Sequence, residues 1–227
     1  MNDIMSHWVV VGISGVTNGG KSTLTKKLLE TLPGTVKLIN QDDYFYPEDS
    51  QHHVPAPGGL MHHNWDVISS LNMERMEKDV LDIINSKIPE KSESYFHRGV
   101  SNASCSEHSS SSRANAVHYR PILLLDGFLL FDHKGLTDVC NLRYFLTLTR
   151  EQCWERRKSR VYEPPDPPGY FDHCVWPMYE DHLKRIEKMP GVVFIDGLGN
   201  PYQEVCKKIL DLAKISQPVL SANIHEH

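Results

Sequence analysis

The chain has 227 residues with 40% hydrophobic side chains, long enough to bury the core of one α/β domain. A net charge of −5 and a pI near 6.2 argue against a nucleic-acid polyanion as the main ligand, because such binders carry a basic patch or stripe; a small anion held by a local basic cluster stays open. Five cysteines, an odd number with no Cys-x-x-Cys pair, argue against zinc or a disulfide framework and for buried thiols in a reducing compartment.

The first residues, MNDIMSHWVVVGIS, have no basic stretch followed by an apolar one, and no run reaches transmembrane length. A soluble, cytoplasmic protein with no membrane partner is expected. Trp8 to Ile13 predicts a short buried parallel strand. It leads into GVTNGGKS, Gly15 to Ser22, which spells G-x-x-x-x-G-K-[ST]. Lys21 to Leu32 follows with Leu24, Leu28, Leu29 and Leu32 at helical spacing, stopped by Pro33-Gly34. In such a loop glycines permit positive φ, and successive backbone N–H groups form an anion nest at a helix N-terminus. Lys21 is expected to reach the β- and γ-phosphates of a nucleotide, and Ser22 to place its hydroxyl on Mg²⁺. A strand before and a helix after make a chance match the weaker reading.

Val36 to Ile39 predicts a second strand, ending at Gln41-Asp42-Asp43. Asp42 can accept the proton of an acceptor hydroxyl, hold Mg²⁺ through water, or do both; the bland alternative is a turn carboxylate. Residues 46–64 read as an irregular loop. Its histidines, His52, His53, His62 and His63, lack a carboxylate or cysteine at ligand spacing and read as solvated rather than metal-binding. Leu71 to Ile84 predicts a helix, and the serine-rich stretch 89–118 a flexible insertion. Pro121 to Asp126 returns to a buried strand that delivers one carboxylate towards Mg²⁺, in the manner of a Walker B strand; Asp126-Gly127 as a plain turn is the alternative. Tyr144 to Leu148 predicts another strand.

Glu151 to Val161 predicts a helix with Arg156 and Arg160 on one face. With the Pro-rich turn Glu163 to Tyr170, the segment from about 150 to 172 reads as an arginine-bearing lid over a transferring phosphoryl group, against the alternative of a solvated basic face. His173 to Met189 predicts a helix, Val192 to Ile195 a last strand ending at Asp196-Gly197, and Tyr202 to Ile215 a final helix before a tail, 217–227. Residues 1–216 thus read as a single domain. Strands alternating with helices predict an α/β three-layer sandwich with a central parallel sheet, helices on both faces, and ligands beyond the carboxyl ends of the strands. Gly15, Asp42, Asp126 and Asp196 all follow a strand and point to one sheet edge. A GTPase switch would read guanine with Asn-Lys-x-Asp, which is absent. A small-molecule kinase needs an acceptor pocket, a base and cations over the phosphoryl group.

Together GISGVTNGGKSTL, INQDDYF, WDVISSLNME, LLLDGFLLF, RYFLTL, RRKSRVYEPPDPPGYFDHCVWPMY and VVFIDG resemble the nicotinamide riboside kinases, over nearly all of residues 8–212 apart from the serine-rich insertion. That family is similar in fold to the uridine and pantothenate kinases of the P-loop NTPase type. The resemblance implies ATP-dependent phosphorylation of the ribose 5′-hydroxyl of nicotinamide riboside, and of nicotinic acid riboside, to the mononucleotide, a precursor of NAD. By the same resemblance Gly15, Val16, Thr17, Asn18, Gly19, Gly20, Lys21, Ser22 and Thr23 hold the ATP phosphates. Ser22 and Asp42 attend Mg²⁺, and Asp42 is the base. Asp42, Asp43, Tyr44 and Phe45 line the substrate side, Trp65 stacks on the pyridinium ring, and Asp66 grips the ribose hydroxyls. Arg156 faces ATP and Arg157 the substrate. Arg160, Val161 and Tyr162 contact ATP, Tyr162 and Glu163 the nucleoside, and Gly199, Asn200 and Pro201 border adenine.

Elementary chemistry agrees. A flat cation is attracted to aromatic faces by about 0.5–2 kcal/mol, and a ribose diol suits a carboxylate acceptor. Two features depart from the family: Asp126 stands where a Glu is common, one methylene shorter, and the insertion is longer. The alternatives are a uridine- or pantothenate-type kinase, or a nucleotide-binding interaction protein. The oligomeric state, monomer or dimer, is not set by the sequence.

Overall fold

The apolar runs of the sequence become the strands of one sheet. A computed structural model describes residues 7–86 and 117–215. In chain order its main elements are β1 (Val9–Gly15), α1 (Lys21–Thr31), β2 (Val36–Asn40), α2 (Met73–Asn85), β3 (His118–Tyr119), β4 (Ile122–Asp126), α3 (Lys134–Val139), β5 (Leu142–Thr147), α4 (Arg150–Arg157), α5 (Trp176–Ile186), β6 (Val192–Asp196), α6 (Tyr202–Ala213) and β7 (Lys214–Ile215). Five strands pair in parallel in the order β2-β4-β1-β5-β6.

Alternate residues of the central strands feed two cores. Val9, Val11 and Ile13 of β1, with Ile122 and Leu124 of β4, pack on Leu24 and Leu28 of α1 and Val205 and Ile209 of α6. Val10, Leu123 and Leu125 face the other way, onto Met76 and Val80 of α2, Leu136 of α3, and Tyr179 and Ile186 of α5. Both faces are covered, which is why these strands read as unbroken apolar runs. Each such fully buried side chain contributes roughly 1.5–3 kcal/mol. The result is the expected three-layer α/β sandwich. The register sets Asp126 beside Ile13 of β1 and Asn40 of β2, so the strand-end carboxylates gather at one edge.

Several boundaries differ from the sequence reading. The helix α4 opens on a capping box between Thr149 and Gln152 but ends at Arg157, short of Val161. Arg160 therefore lies in a turn, not one helical turn beyond Arg156 on the same face. The helix expected over His173–Met189 is present, but it opens with a wide helical turn over Phe171–Val175, continues as α5 with a proline in its first turn, and ends at Ile186. Pro177 has no N–H to close a regular turn with the preceding residues. The last helix stops at Ala213, and β7 pairs antiparallel with β3. Thus His118, placed in the insertion, starts a strand. The rest of the insertion, 89–116, and the tail, 217–227, lie outside the described residues. Two-residue strands carry no periodicity, and the short α3 was not foreseen either. Among the described residues Cys140, Cys153 and Cys174 are buried free thiols and Cys206 is half-buried. No described helix is long and apolar enough to cross a membrane.

Candidate active site

The phosphate loop follows directly from β1. Gly15 has φ 126°, and a Cβ there would collide with the Leu146 carbonyl of β5. Gly20, at φ 96°, turns the chain into α1. Asn18, at φ 57°, is the only non-glycine with positive φ among the described residues. Lys21 is buried, and its Nζ donates to Gly15 O at 3.0 Å and Val16 O at 2.8 Å. Burial pulls its pKa down, while the Asp126 and Asp42 carboxylates oppose that. Ser22 and Thr23 are exposed at the start of α1. Beneath them the buried Thr25 hydroxyl lies 3.1 Å from Asp126 Oδ2.

A cleft of about 820 Å³ runs over the carboxyl ends of β2 and β4. Thr17 to Thr23 form one wall, and Asn40, Asp42 and Asp126 lie at its strand-end side. Asp42 keeps an open face, yet displacement of water within the cleft pushes its carboxyl above the ordinary range. Lys21 opposes that shift and Asp126 adds to it. The other wall is aromatic: Phe45, Tyr46, Trp65, Phe128 and Tyr170. Phe45 meets Trp65 edge-on at 5.6 Å and stacks with Phe128 at 6.0 Å. Asp66 lines the same wall. Burial pushes its carboxyl up, while Arg157 and a hydrogen bond from Tyr170 pull it back.

The lid is tied to the phosphate loop. Arg157 grips Asp166 through two bonds, at 2.8 and 3.1 Å, and donates to Thr17 Oγ1 at 3.1 Å. Its guanidinium lies 4.1 Å from the centre of the Tyr162 ring. Asn18 gathers the rest. Its side-chain amide donates to Tyr162 Oη at 2.9 Å, its Oδ1 accepts from Arg160 at 3.2 Å, and its carbonyl accepts from Arg156 at 3.0 Å. Arg156 also bonds Gly197 O, so it clamps the loop after β6 onto the phosphate loop rather than lining the cleft.

Not every expected residue reaches the cleft. Gly15 and Val16 lie beneath the loop, lining a small internal space instead. Tyr44 is in the core, its hydroxyl bonded to Asp79 Oδ2 at 2.9 Å, because the short turn Gln41–Tyr44 directs it towards α2. Asp43 is exposed and not among the lining residues, and Val161 is 92% exposed. Gly199, Asn200 and Pro201 also stand outside the cleft, although Gly197, just before them, packs on Gly19: a Cβ there would lie 2.7 Å from Gly19 O. Asp196 accepts from Leu198 N–H at 2.9 Å and closes that turn. The histidines divide. His52 is exposed, whereas His53 is buried with its ring 4.3 Å from Trp65 and 4.9 Å from His63, forming the back of the aromatic wall. The sequence reading missed Tyr46, Glu48, Phe128, Asp166 and Tyr170 as lining residues. Phe128 carried a signal, two residues beyond the strand-end Asp126. The others depend on how loops fold back, which no spacing announces.

A phosphate loop between a strand and a helix, strand-end carboxylates and an arginine lid define a P-loop phosphotransferase. No protein-family model matches the chain. Among curated relatives it is 41% identical over 194 residues to "Nicotinamide riboside kinase 2" of Mus musculus, covering 85% of this chain and 89% of that protein. It is 42% identical over 189 residues to "Nicotinamide riboside kinase 1" of Homo sapiens, covering 83% of each. A "Uridine kinase" of Chlamydia pneumoniae is 24% identical over 212 residues. The chain belongs to the nicotinamide riboside kinase family.

Proposed function

We propose that the protein transfers the γ-phosphoryl group of ATP to the ribose 5′-hydroxyl of nicotinamide riboside, forming the mononucleotide for NAD biosynthesis, with nicotinic acid riboside as a second acceptor. The observation that carries this reading is the meeting, in one cleft, of a phosphate loop, Asp42 and the Trp65–Asp66 wall. The loop N–H groups and Lys21 hold the donor's phosphates at the start of α1. Trp65 offers a face to the pyridinium ring, and Asp66 accepts from the ribose diol. Asp42, shifted up towards the pH at which a base works well, takes the 5′-hydroxyl proton. Arg157 and Arg160, held over the loop by Thr17 and Asn18, set positive charge against the transferring group. Asp126, fixed by Thr25, stands beside them as a second carboxylate.

The cleft fits Mg²⁺. The Ser22 hydroxyl and the carboxylates of Asp42 and Asp126 are hard oxygen donors lining one space. That suits an ion held by one or two carboxylates together with substrate phosphates. Ser22 and Asp42 would hold it, and when bound it would offset charge on the phosphates. The test is product analysis: with ATP and Mg²⁺ the protein converts nicotinamide riboside to nicotinamide mononucleotide. Absence of that product would overturn the reading.

A further inference from the structure

One hydroxyl bonds two adjacent residues of the acceptor wall, Trp65 and Asp66. Tyr170 closes the Pro-rich turn of the lid and is 1% exposed. Its Oη accepts a hydrogen bond from Trp65 N–H at 2.9 Å and donates to Asp66 Oδ2 at 3.1 Å. The phenol's single proton and one of its lone pairs are thereby used on two adjacent residues. A second tie lies alongside. Asn64 Oδ1 accepts from Asp66 N–H at 3.0 Å and from the Cys174 thiol at 2.9 Å. The stretch 64–66 is thus pinned at two points to the segment 170–174, far away in sequence. Arg157, whose partner Asp166 sits in the same Pro-rich turn, approaches from the lid side.

We propose that Tyr170 is a positioning residue for the acceptor: its one hydroxyl fixes the Trp65 backbone and aims the Asp66 carboxylate into the cleft. This rests on the nucleoside reading of the cleft given above.

The role leaves a trace that packing alone would not. Burial pushes Asp66 towards protonation. Arg157 of α4, the Tyr170 hydroxyl and Lys21 of α1 favour its charged form, and Asp166 of the lid disfavours it. The thiols of Cys153 and Cys174 also interact electrostatically with it. Among the described residues, Tyr170 is the only side chain that donates a hydrogen bond to the Asp66 carboxylate. Without that bond Asp66 holds its proton to higher pH. The carboxylate that accepts from a ribose diol and attracts a cation is then lost at higher pH.

Tyr170→Phe keeps the ring in place and removes only the hydroxyl. Calorimetric binding of nicotinamide riboside, measured from pH 5 to 8, is expected to weaken about 5- to 20-fold, and the acid limb of affinity to move up by about one pH unit. The KM for ATP stays within twofold. In an Asp66→Asn background, Tyr170→Phe is expected to add no pH shift. Equal weakening of ATP and riboside with the limb unmoved, or unchanged riboside binding, would overturn the proposal. If Tyr170→Phe does not fold, Asp66→Asn alone decides: its acid limb should flatten, and a retained limb would overturn the proposal. Failure of the unmodified protein to bind nicotinamide riboside at all would instead overturn the functional reading.

Discussion

Asp42, the proposed base, has an open face and feels the charge of Lys21. Water displaced by the cleft walls raises its pKa, while Lys21 restrains the rise. A base must be ionised to accept a proton, so turnover should fall as the pH drops through the raised value. The acid limb of kcat should therefore lie above about 4, the ordinary Asp range. Asp42→Asn should lower kcat by about 10²–10⁴-fold, with ATP affinity much less affected. Near-normal turnover in steady-state assays would remove Asp42 as base. The positions of Asp42, Asp126 and Lys21 in the cleft were legible in the sequence because Asp126 ends a recognisable strand, Asp42 stands just past another and Lys21 opens a recognisable helix. Tyr44 was misread from the same stretch, because adjacent residues in a tight turn point to different sides. Tyr170 and Asp166 were invisible, since their partners lie about a hundred and nine residues away respectively, across loops that no periodicity describes.

At the scale of elements, the lid and the phosphate loop act as one clamp, and Asn18 is its pin. Two lid side chains converge on that one amide, Arg160 and Tyr162, while Arg156 holds its carbonyl. Asn18→Gly keeps the positive φ open and removes only the side chain. The loss of two polar contacts, each worth about 0.5–1.5 kcal/mol, should raise the KM for ATP at least about 5-fold. Limited proteolysis of the segment 158–169 should also become faster. An unchanged KM and cleavage rate would mean that lid and loop are held independently. The arginines and prolines led to the expectation of a lid, and the structure bonds Arg157, Arg160 and Tyr162 of that segment to the phosphate loop. The sequence did not announce where α4 ends, because helical spacing continues in the residue pattern past Arg157 while the backbone turns away. Nor could it foresee the wide turn that opens the helix just before Pro177, a residue with no N–H to donate.

At the scale of the molecule, the parallel register makes the site. With β4 between β1 and β2, the loop after β1, the turn after β2 and the end of β4 become neighbours. This part was legible because buried parallel strands leave long apolar runs with polar ends. Outside the cleft, Asp132 and two residues of α5 form a pH-dependent staple. Burial works against ionisation of Asp132, but hydrogen bonds from His182 and Arg185 outweigh it and hold its pKa down to about 2. A depressed carboxylate stabilises the fold above its unfolded value and loses that contribution as pH falls through the window from about 4 to 2. Urea unfolding of Asp132→Asn should show a deficit of about 1–2 kcal/mol at pH 7 that shrinks towards pH 2. A deficit independent of pH would contradict the linkage.

The central claim is that this cleft selects a cationic nucleoside, by an aromatic wall beside a carboxylate, over neutral or unrelated acceptors. The measurement that tests it most directly is kcat/KM with Mg²⁺-ATP for nicotinamide riboside, nicotinic acid riboside, uridine and pantothenate, compared in one assay. Stacking and charge together are worth about 1–2 kcal/mol, so nicotinamide riboside should exceed uridine and pantothenate by about 5- to 30-fold. A chain that phosphorylates uridine or pantothenate as well as, or better than, nicotinamide riboside would contradict the account.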